Sequence, residues 1–280
     1  MVCCDCPITN VLIIGGIAYF IYKMFIQSTP RISSKPEVRK KDYKKDTVYL
    51  YQFPRVKNCP NLSPFCLKIE ILCRAFGIDY EVINVVRQRS RNGTLPFIEL
   101  NGEHIADSDL IEVRLREHFK IPSLPPAEEA HAVAISRMAD NHLFYLGIVF
   151  KIQCDEFHKM IINMVEMPSF VKSAVGPLVK RRFSSKVYAR AKAAIGDFEP
   201  HEREMLLKRD LKAIEDSIKG KFLFGDKIAP VDATVFGQLA SVYYLFPTRF
   251  SEILDGEFPK IVEYMDRVKN EIYPNDFISE

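Results

Sequence analysis

Two short runs place polar and nucleophilic side chains where helices must begin: Ser63-Pro64-Phe65-Cys66 and Asp107-Ser108. Serine directly before proline is an N-cap followed by a first-turn proline, and Asp-Ser ahead of an apolar-periodic stretch is a second helix start. A helix N-terminus carries free N–H groups and the positive end of the helix dipole, so either position favours a carboxylate or a thiolate. Plain capping uses the same residues for folding alone, and both readings stand at this point. Cys66 lies one turn into its helix, where a resolving thiol sits in dithiol chemistry, but the pairing position holds Ser63, which disfavours thiol–disulfide exchange. Cys73 belongs to an apolar stripe. Arg87, Arg89 and Arg91 make a basic loop that can be solvated or can meet an anion.

The elements around these residues follow from periodicity. Thr47 to Phe53 alternates and is rich in β-formers, so it reads as a strand. Phe65, Ile69, Leu72, Cys73 and Phe76 recur at helical spacing up to Gly77. Tyr80 to Val86 is a second strand, and Phe97 to Leu100, Asn101-Gly102 and Glu103 to Ala106 form a hairpin. The order is β-α-β, loop, β-β-α, over residues 47–121. After the Pro-rich junction Ile121 to Pro126 alternation gives way to helical periodicity, and residues 122–280 read as an all-helical unit. Its expected helices are Ala127 to Gln153, Glu156 to Val165, Lys186 to Ile195 and a face of Leu207, Leu211, Ile214 and Ile218.

Seven scattered cysteines argue against a disulfide framework and for a reducing compartment. They show no zinc pattern, and His131, His142, His158 and His201 share no ligand spacing, so no metal site is expected. Lys23 to Asp46 holds eight basic and three acidic residues, which leaves the rest of the chain nearly neutral and argues against nucleic acid as a partner. Ile8 to Ile26 is an apolar run close to the ~20 residues that span a bilayer. Residues 1–26 therefore read as an uncleaved anchor that meets membrane lipid through residues 8–26, and 27–46 as a solvated basic linker. Arg31, Lys35, Arg39, Lys40, Lys41, Lys44 and Lys45 all follow the span, which puts the C-terminal domain of this single-pass protein in the cytosol. Cys3, Cys4 and Cys6 either accept acyl groups, bind a soft metal, or simply border the membrane.

The element order, with Pro96 directly before the third strand, resembles the thioredoxin-like domain of glutathione transferases. Ser63-Pro64-Phe65-Cys66 resembles the Cys-Pro-x-Cys corner of glutaredoxins and its serine versions in transferases. The implied architecture is the glutathione-transferase fold, an α/β thioredoxin-like domain followed by an all-α domain, here behind one N-terminal transmembrane helix. The resemblance further implies a cis Leu95-Pro96 bond, pairing of the Leu95 backbone with the cysteinyl part of glutathione, and capture of its γ-glutamyl end by Asp107 and Ser108. Ser63 is then the candidate catalytic group, donating its hydroxyl to the sulfur of this small-molecule thiol. Lowering a thiol pKa by about two units takes about 2.7 kcal/mol, and one hydrogen bond to a charged group supplies about 1.5 to 3.

Gln52-Phe-Pro-Arg55, Pro60-Asn-Leu-Ser-Pro-Phe-Cys66, Pro96-Phe-Ile-Glu-Leu-Asn-Gly102, Asp107-Ser108 and Val231-Asp-Ala-Thr-Val-Phe236 narrow the resemblance. They are similar to the failed axon connections and nematode cadmium-responsive family, related to metaxins. That resemblance implies a protein on endomembranes, the lysosome among them, acting in cadmium or xenobiotic stress and metal homeostasis. It equally implies a catalytically silent adaptor with a dimer or protein partner. Asp232 matches the residue that caps the central helix of the second domain. Ala229 stands where the family has Ser or Thr, so this helix start is expected to be weaker by about 1 kcal/mol.

Overall fold

The computed structural model describes residues 38–86, 88–164 and 168–278. The expected span at 8–26 lies outside them, as do Cys3, Cys4, Cys6 and Arg87. No helix among the described residues is long and apolar enough to cross a membrane.

A four-stranded sheet of order β2-β1-β3-β4 joins β1 (Val48–Gln52), β2 (Tyr80–Asn84), β3 (Phe97–Leu100) and β4 (Glu103–Ala106). β2 is parallel to β1, reached through α1 (Pro64–Ala75), while β3 and β4 are antiparallel and lead into α2 (Ser108–Phe119). Alternation sends Val48 and Leu50 into the main core with Leu67, Ile71 and Leu72, and Tyr49 and Tyr51 to the other face.

That other face is covered too, by residues 38–40. The Arg39 and Lys40 N–H groups each donate to the buried Glu99 carboxylate at 2.8 Å, and the Tyr51 hydroxyl donates to it at 3.1 Å. The Arg39 guanidinium stands 4.9 Å above the Phe97 ring. Within the stretch expected as a basic linker, residues 38–40 thus lie against the sheet, while residues 41–45 stay exposed. The charged heads of Arg39 and Lys40 suggested solvent, but their backbone amides and side-chain stems make the contacts.

The second layer is helical: α3 (Pro126–Met138), a π turn (Ala139–Leu143), α4 (Phe144–Ile152), α5 (Asp155–Asn163), α6 (Ser169–Ile195), α7 (Pro200–Asp216), α8 (Pro230–Tyr243), α9 (Arg249–Glu257) and α10 (Pro259–Ile272). The single helix expected from Ala127 to Gln153 contains the π turn, which carries the buried Asp140. Of α6 only Lys186 to Ile195 is anticipated. Gly176 and Pro177 are poor helix formers, and since only Gly176 and Ala191 are buried, no apolar stripe marks the rest.

α8 is buried from Pro230 to Val242 and packs against α1. A Cβ on Gly237 would lie 2.8 Å from the Pro64 carbonyl oxygen, so the helices meet where a side chain is missing. The weak helix start expected from Ala229 is offset by Asp232. Its carboxylate accepts from Ala229 N–H at 2.8 Å and from Leu223 N–H and the Tyr264 hydroxyl at 3.0 Å.

His142, in the π turn, lies 2.6 Å from Asp210 of α7. That hydrogen bond raises the imidazole pKa against the opposing effect of burial. The contribution is fully present below about pH 6.5 and is lost as pH rises through the raised value. His142→Ala is expected to lower stability by about 0.5–1 kcal/mol more at pH 5.5 than at pH 8.5, measured by urea denaturation. A difference that is flat with pH would remove the ion pair as its cause.

Candidate functional site

Strand register gathers the singled-out residues. Tyr51 pairs with Phe97 and Phe97 with Ala106, so the end of β1, the start of β3 and the end of β4 share one end of the sheet. Cys66, in the first turn of α1, packs in one apolar cluster with Tyr51, Leu95, Phe97 and Ala106. The start of α1, the Leu95-Pro96 peptide and the β4–α2 junction therefore converge, outside the carboxyl end of β1, where open α/β sheets bind ligands.

Ser63 is the N-cap of α1. Its Oγ accepts from Cys66 N–H at 3.4 Å, and its own N–H donates to Asn61 Oδ1 at 3.0 Å. Asn61 in turn donates to the Phe53 carbonyl at 2.8 Å, which ties the loop after β1 to the strand end. The Ser63 side chain and backbone are thus both engaged, and the residue is 8% exposed. Burial pushes the Cys66 thiol up to about 12, and the Ser63 hydroxyl beside it opposes without overcoming this. A thiol so protonated is a poor nucleophile.

The Leu95-Pro96 bond is cis. Among the described residues neither the N–H nor the C=O of Leu95 makes a hydrogen bond, although the residue is buried. Buried backbone groups are nearly always paired, so this pair is free for an extended peptide-like ligand.

Asp107 is the N-cap of α2, with its carboxylate accepting from Asp109 N–H at 3.0 Å. Its φ of 81° is sparsely populated for a non-glycine residue, and Asp107 alone of the five singled-out residues is exposed. The strained turn is held from below. Lys68 Nζ of α1, with a side chain 1% exposed, lies 2.8 Å from Asp109, 3.0 Å from Glu112 and 2.9 Å from Asp140. Arg137 takes the second oxygen of Asp109, and Gln238 donates to Asp140 at 2.9 Å. Both domains thus fix the N-terminus of α2.

Beside the end of β1 lies a cleft of about 490 Å³. Val56 and Val86 line it from the sheet domain, Met160 and Met164 from α5 and beyond, and Leu245 and Phe246 from the chain after α8. Arg89, singled out with its basic loop, is joined near the site by Asn61 and Lys151, which no sequence signal marks. Arg89 is half-buried with its guanidinium 5.2 Å over the Phe53 ring, and no carboxylate pairs with it among the described residues. Asn61 buttresses Ser63. Lys151, also buried without a carboxylate, donates to the Leu62 carbonyl at 3.3 Å and to Ser241 Oγ at 3.1 Å, and burial pulls its pKa down to about 7. Only solvent-exclusion by the tertiary fold distinguishes these residues from surface ones. Among the described residues no group of three His, Cys, Asp or Glu side chains could hold a metal ion.

Comparison with known proteins agrees with this arrangement. Residues 64–157 match the glutathione S-transferase N-terminal domain, and residues 207–268 match the glutathione S-transferase C-terminal domain. Among solved structures, a glutathione transferase from Phanerochaete chrysosporium superposes with a TM-score of 0.56 at 14% identity, covering 85% of this chain and 100% of that one. A glutathione S-transferase from Methylobacterium radiotolerans, solved in complex with glutathione sulfonate, gives 0.53 at 16%, covering 84% and 96%. The fold is that of a glutathione transferase, and the chain belongs to the glutathione-transferase-like family. Among curated proteins, failed axon connections of Drosophila melanogaster is 31% identical over 261 residues. That match takes in 87% of this chain and 62% of the fly protein, so the chain spans less than two-thirds of that relative. The isoprene-epoxide glutathione S-transferase of Rhodococcus sp. strain AD45 is 22% identical over 242 residues, 80% of this chain and 98% of the enzyme.

Proposed function

We propose that this protein is a membrane-anchored, glutathione-binding member of the transferase-like family. Its anchor is residues 8–26, its folded part lies on the cytosolic side of an endomembrane, and it acts in the response to cadmium or electrophiles. The carrying observation is the unpaired backbone of Leu95 beside the α2 N-terminus. An extended tripeptide laid along Leu95 satisfies both backbone groups. Its α-carboxylate then faces the N–H groups at Ser108, and its ammonium faces Asp107. The cleft lined by Val56, Met160 and Phe246 is apolar enough for an electrophile, and Arg89, bonded to carbonyls but to no carboxylate, suits the glycyl carboxylate. The cadmium and stress role rests on family resemblance.

The second reading, a catalytically silent adaptor, also has an observation behind it. The Ser63 oxygen serves as a cap and the residue is barely exposed, so capping accounts for its placement without catalysis.

Calorimetric titration of the full chain with glutathione tests both. Asp107→Ala is expected to weaken binding by about 1.5–3 kcal/mol, the loss of a charge-assisted contact, while folding largely survives. Ser63→Ala is expected to leave tripeptide affinity nearly intact, to raise the pKa of the bound thiol and to slow conjugation. If wild-type protein binds no glutathione at millimolar concentration, the adaptor reading replaces the enzyme.

A further inference from the structure

α6 is the longest helix among the described residues, and its charge is one-sided. Between Ser169 and Ile195 it carries Lys172, Lys180, Arg181, Arg182, Lys186, Arg190 and Lys192, with no acidic residue. Lys180 pairs with Asp155 and Lys192 with Asp197. Among the described residues no carboxylate pairs with the other five. Near-neutrality of the folded chain as a whole hides this concentration.

One side of the helix is committed. Gly176 sits against Ile162 of α5, Phe183 packs on Phe157, and Ser184 hydrogen-bonds His158. The opposite side is solvent-facing. Phe170, Ala174, Leu178, Arg181, Ser185 and Lys192 recur there in steps that keep to one face, all exposed, with Arg182 and Lys186 on its shoulder. Phe170 is 76% exposed and Leu178 51%, large values for apolar side chains on a helix that has a packed side available.

We infer that this outer face of α6 docks on an anionic lipid surface. Unpaired cations interleaved with exposed apolar groups match an interface where headgroups are negative and acyl chains lie just beneath. Nucleic acid or an acidic protein satisfies the cations but leaves Phe170 and Leu178 without a partner. The inference deepens the anchored reading above and rests on it for orientation, since a cytosolic folded domain faces the negatively charged leaflet. Gln27 to Glu37 can extend at most about 40 Å, so an anchored chain keeps α6 at high effective concentration beside the bilayer.

The chain contains no tryptophan, so Phe170→Trp introduces a unique fluorescent reporter at an exposed position. The full chain is reconstituted with vesicles of phosphatidylcholine alone, or with about one-third phosphatidylserine, the anionic lipid of the cytosolic leaflet. Docking predicts a blue shift and quenching by brominated acyl chains on the anionic vesicles only, both reversed by molar salt. A second chain carrying Arg181→Glu, Arg182→Glu and Lys186→Glu besides the reporter is expected to need at least about tenfold more anionic lipid for the same shift. Resistance of the bound chain to alkaline extraction reads the anchor separately, so failure of the anchor and failure of the helix face are distinguishable. No shift on anionic vesicles overturns the inference. So does an equal shift on neutral ones, or a shift produced by single-stranded DNA or an acidic peptide in place of vesicles.

Discussion

Lys68→Met is expected to lower the unfolding free energy by about 3–5 kcal/mol, the range for breaking a buried ion pair by removing one partner. Lys68 Nζ is the shared cation of Asp109, Glu112 and Asp140, and the side chains of Lys68 and Asp140 are 1% and 7% exposed. Without it, Asp140 keeps only Gln238, and a buried carboxylate faces methionine. Asp109 retains Arg137, so the damage centres on the π turn and on the contact of α1 with the second domain. The check is guanidinium denaturation, where the midpoint falls at unchanged slope. Asp140→Asn in the Lys68→Met background is expected to recover part of the loss, because it removes the stranded charge. A single-variant loss under about 1 kcal/mol means that the carboxylates find water or protonate at little penalty, and the network does not hold the domains together. The same substitution frees the first turn of α2, so glutathione affinity falls with stability if Asp107 and Ser108 bind the ligand.

Asp232→Ala has an effect of similar size with a different cause. It strands three donors, Leu223 N–H, Ala229 N–H and the Tyr264 hydroxyl, in a place with no solvent access. At about 1–3 kcal/mol for each unsatisfied buried group, a loss of 3–5 kcal/mol or more is expected. Asp232→Asn keeps one acceptor oxygen but turns an amide nitrogen toward a donor, and is expected to fall between. Titration separates charge from hydrogen bonding. Burial raises the Asp232 pKa to about 6, against the three donors that favour the carboxylate. A raised folded value gives stability that is fully present below about pH 3.8 and lost as pH rises through about 6. The gap between wild type and Asp232→Asn is therefore expected to be wider at pH 4.5 than at pH 7.5. A gap that widens instead toward pH 7.5 would falsify the raised value.

Much of the first domain was legible because its signals are local. Alternation in Val48-Tyr-Leu-Tyr-Gln52, the Ser63-Pro64 helix start and the Asn101-Gly102 turn each depend on residues a few positions apart. The five candidate site residues were legible through their pattern, and the structure places all five at one end of the sheet. Their working state was not legible. That Ser63 is almost fully buried, that Leu95 leaves its backbone unpaired and that Lys68 braces the turn after Asp107 depend on neighbours distant in the chain.

The helical half was read less completely for the same reason. The start of α8 was read through its Val231–Phe236 motif, whereas α6 has too few buried residues to show a stripe, and α9 and α10 went unread. Lys68, Glu99 and Lys151 look like surface residues in sequence, since a charged side chain carries no mark of being buried. Sequence by itself determined the order of elements in the first domain and the positions of the two helix starts, because short-range periodicity and capping chemistry act within a few residues. Only the tertiary structure decided that residues 38–40 cover the sheet, that Lys68 binds three carboxylates and that Gly237 lets α8 touch α1. Those outcomes are set by which residues exclude water from one another across 40 to 170 positions, a relation that no local pattern encodes.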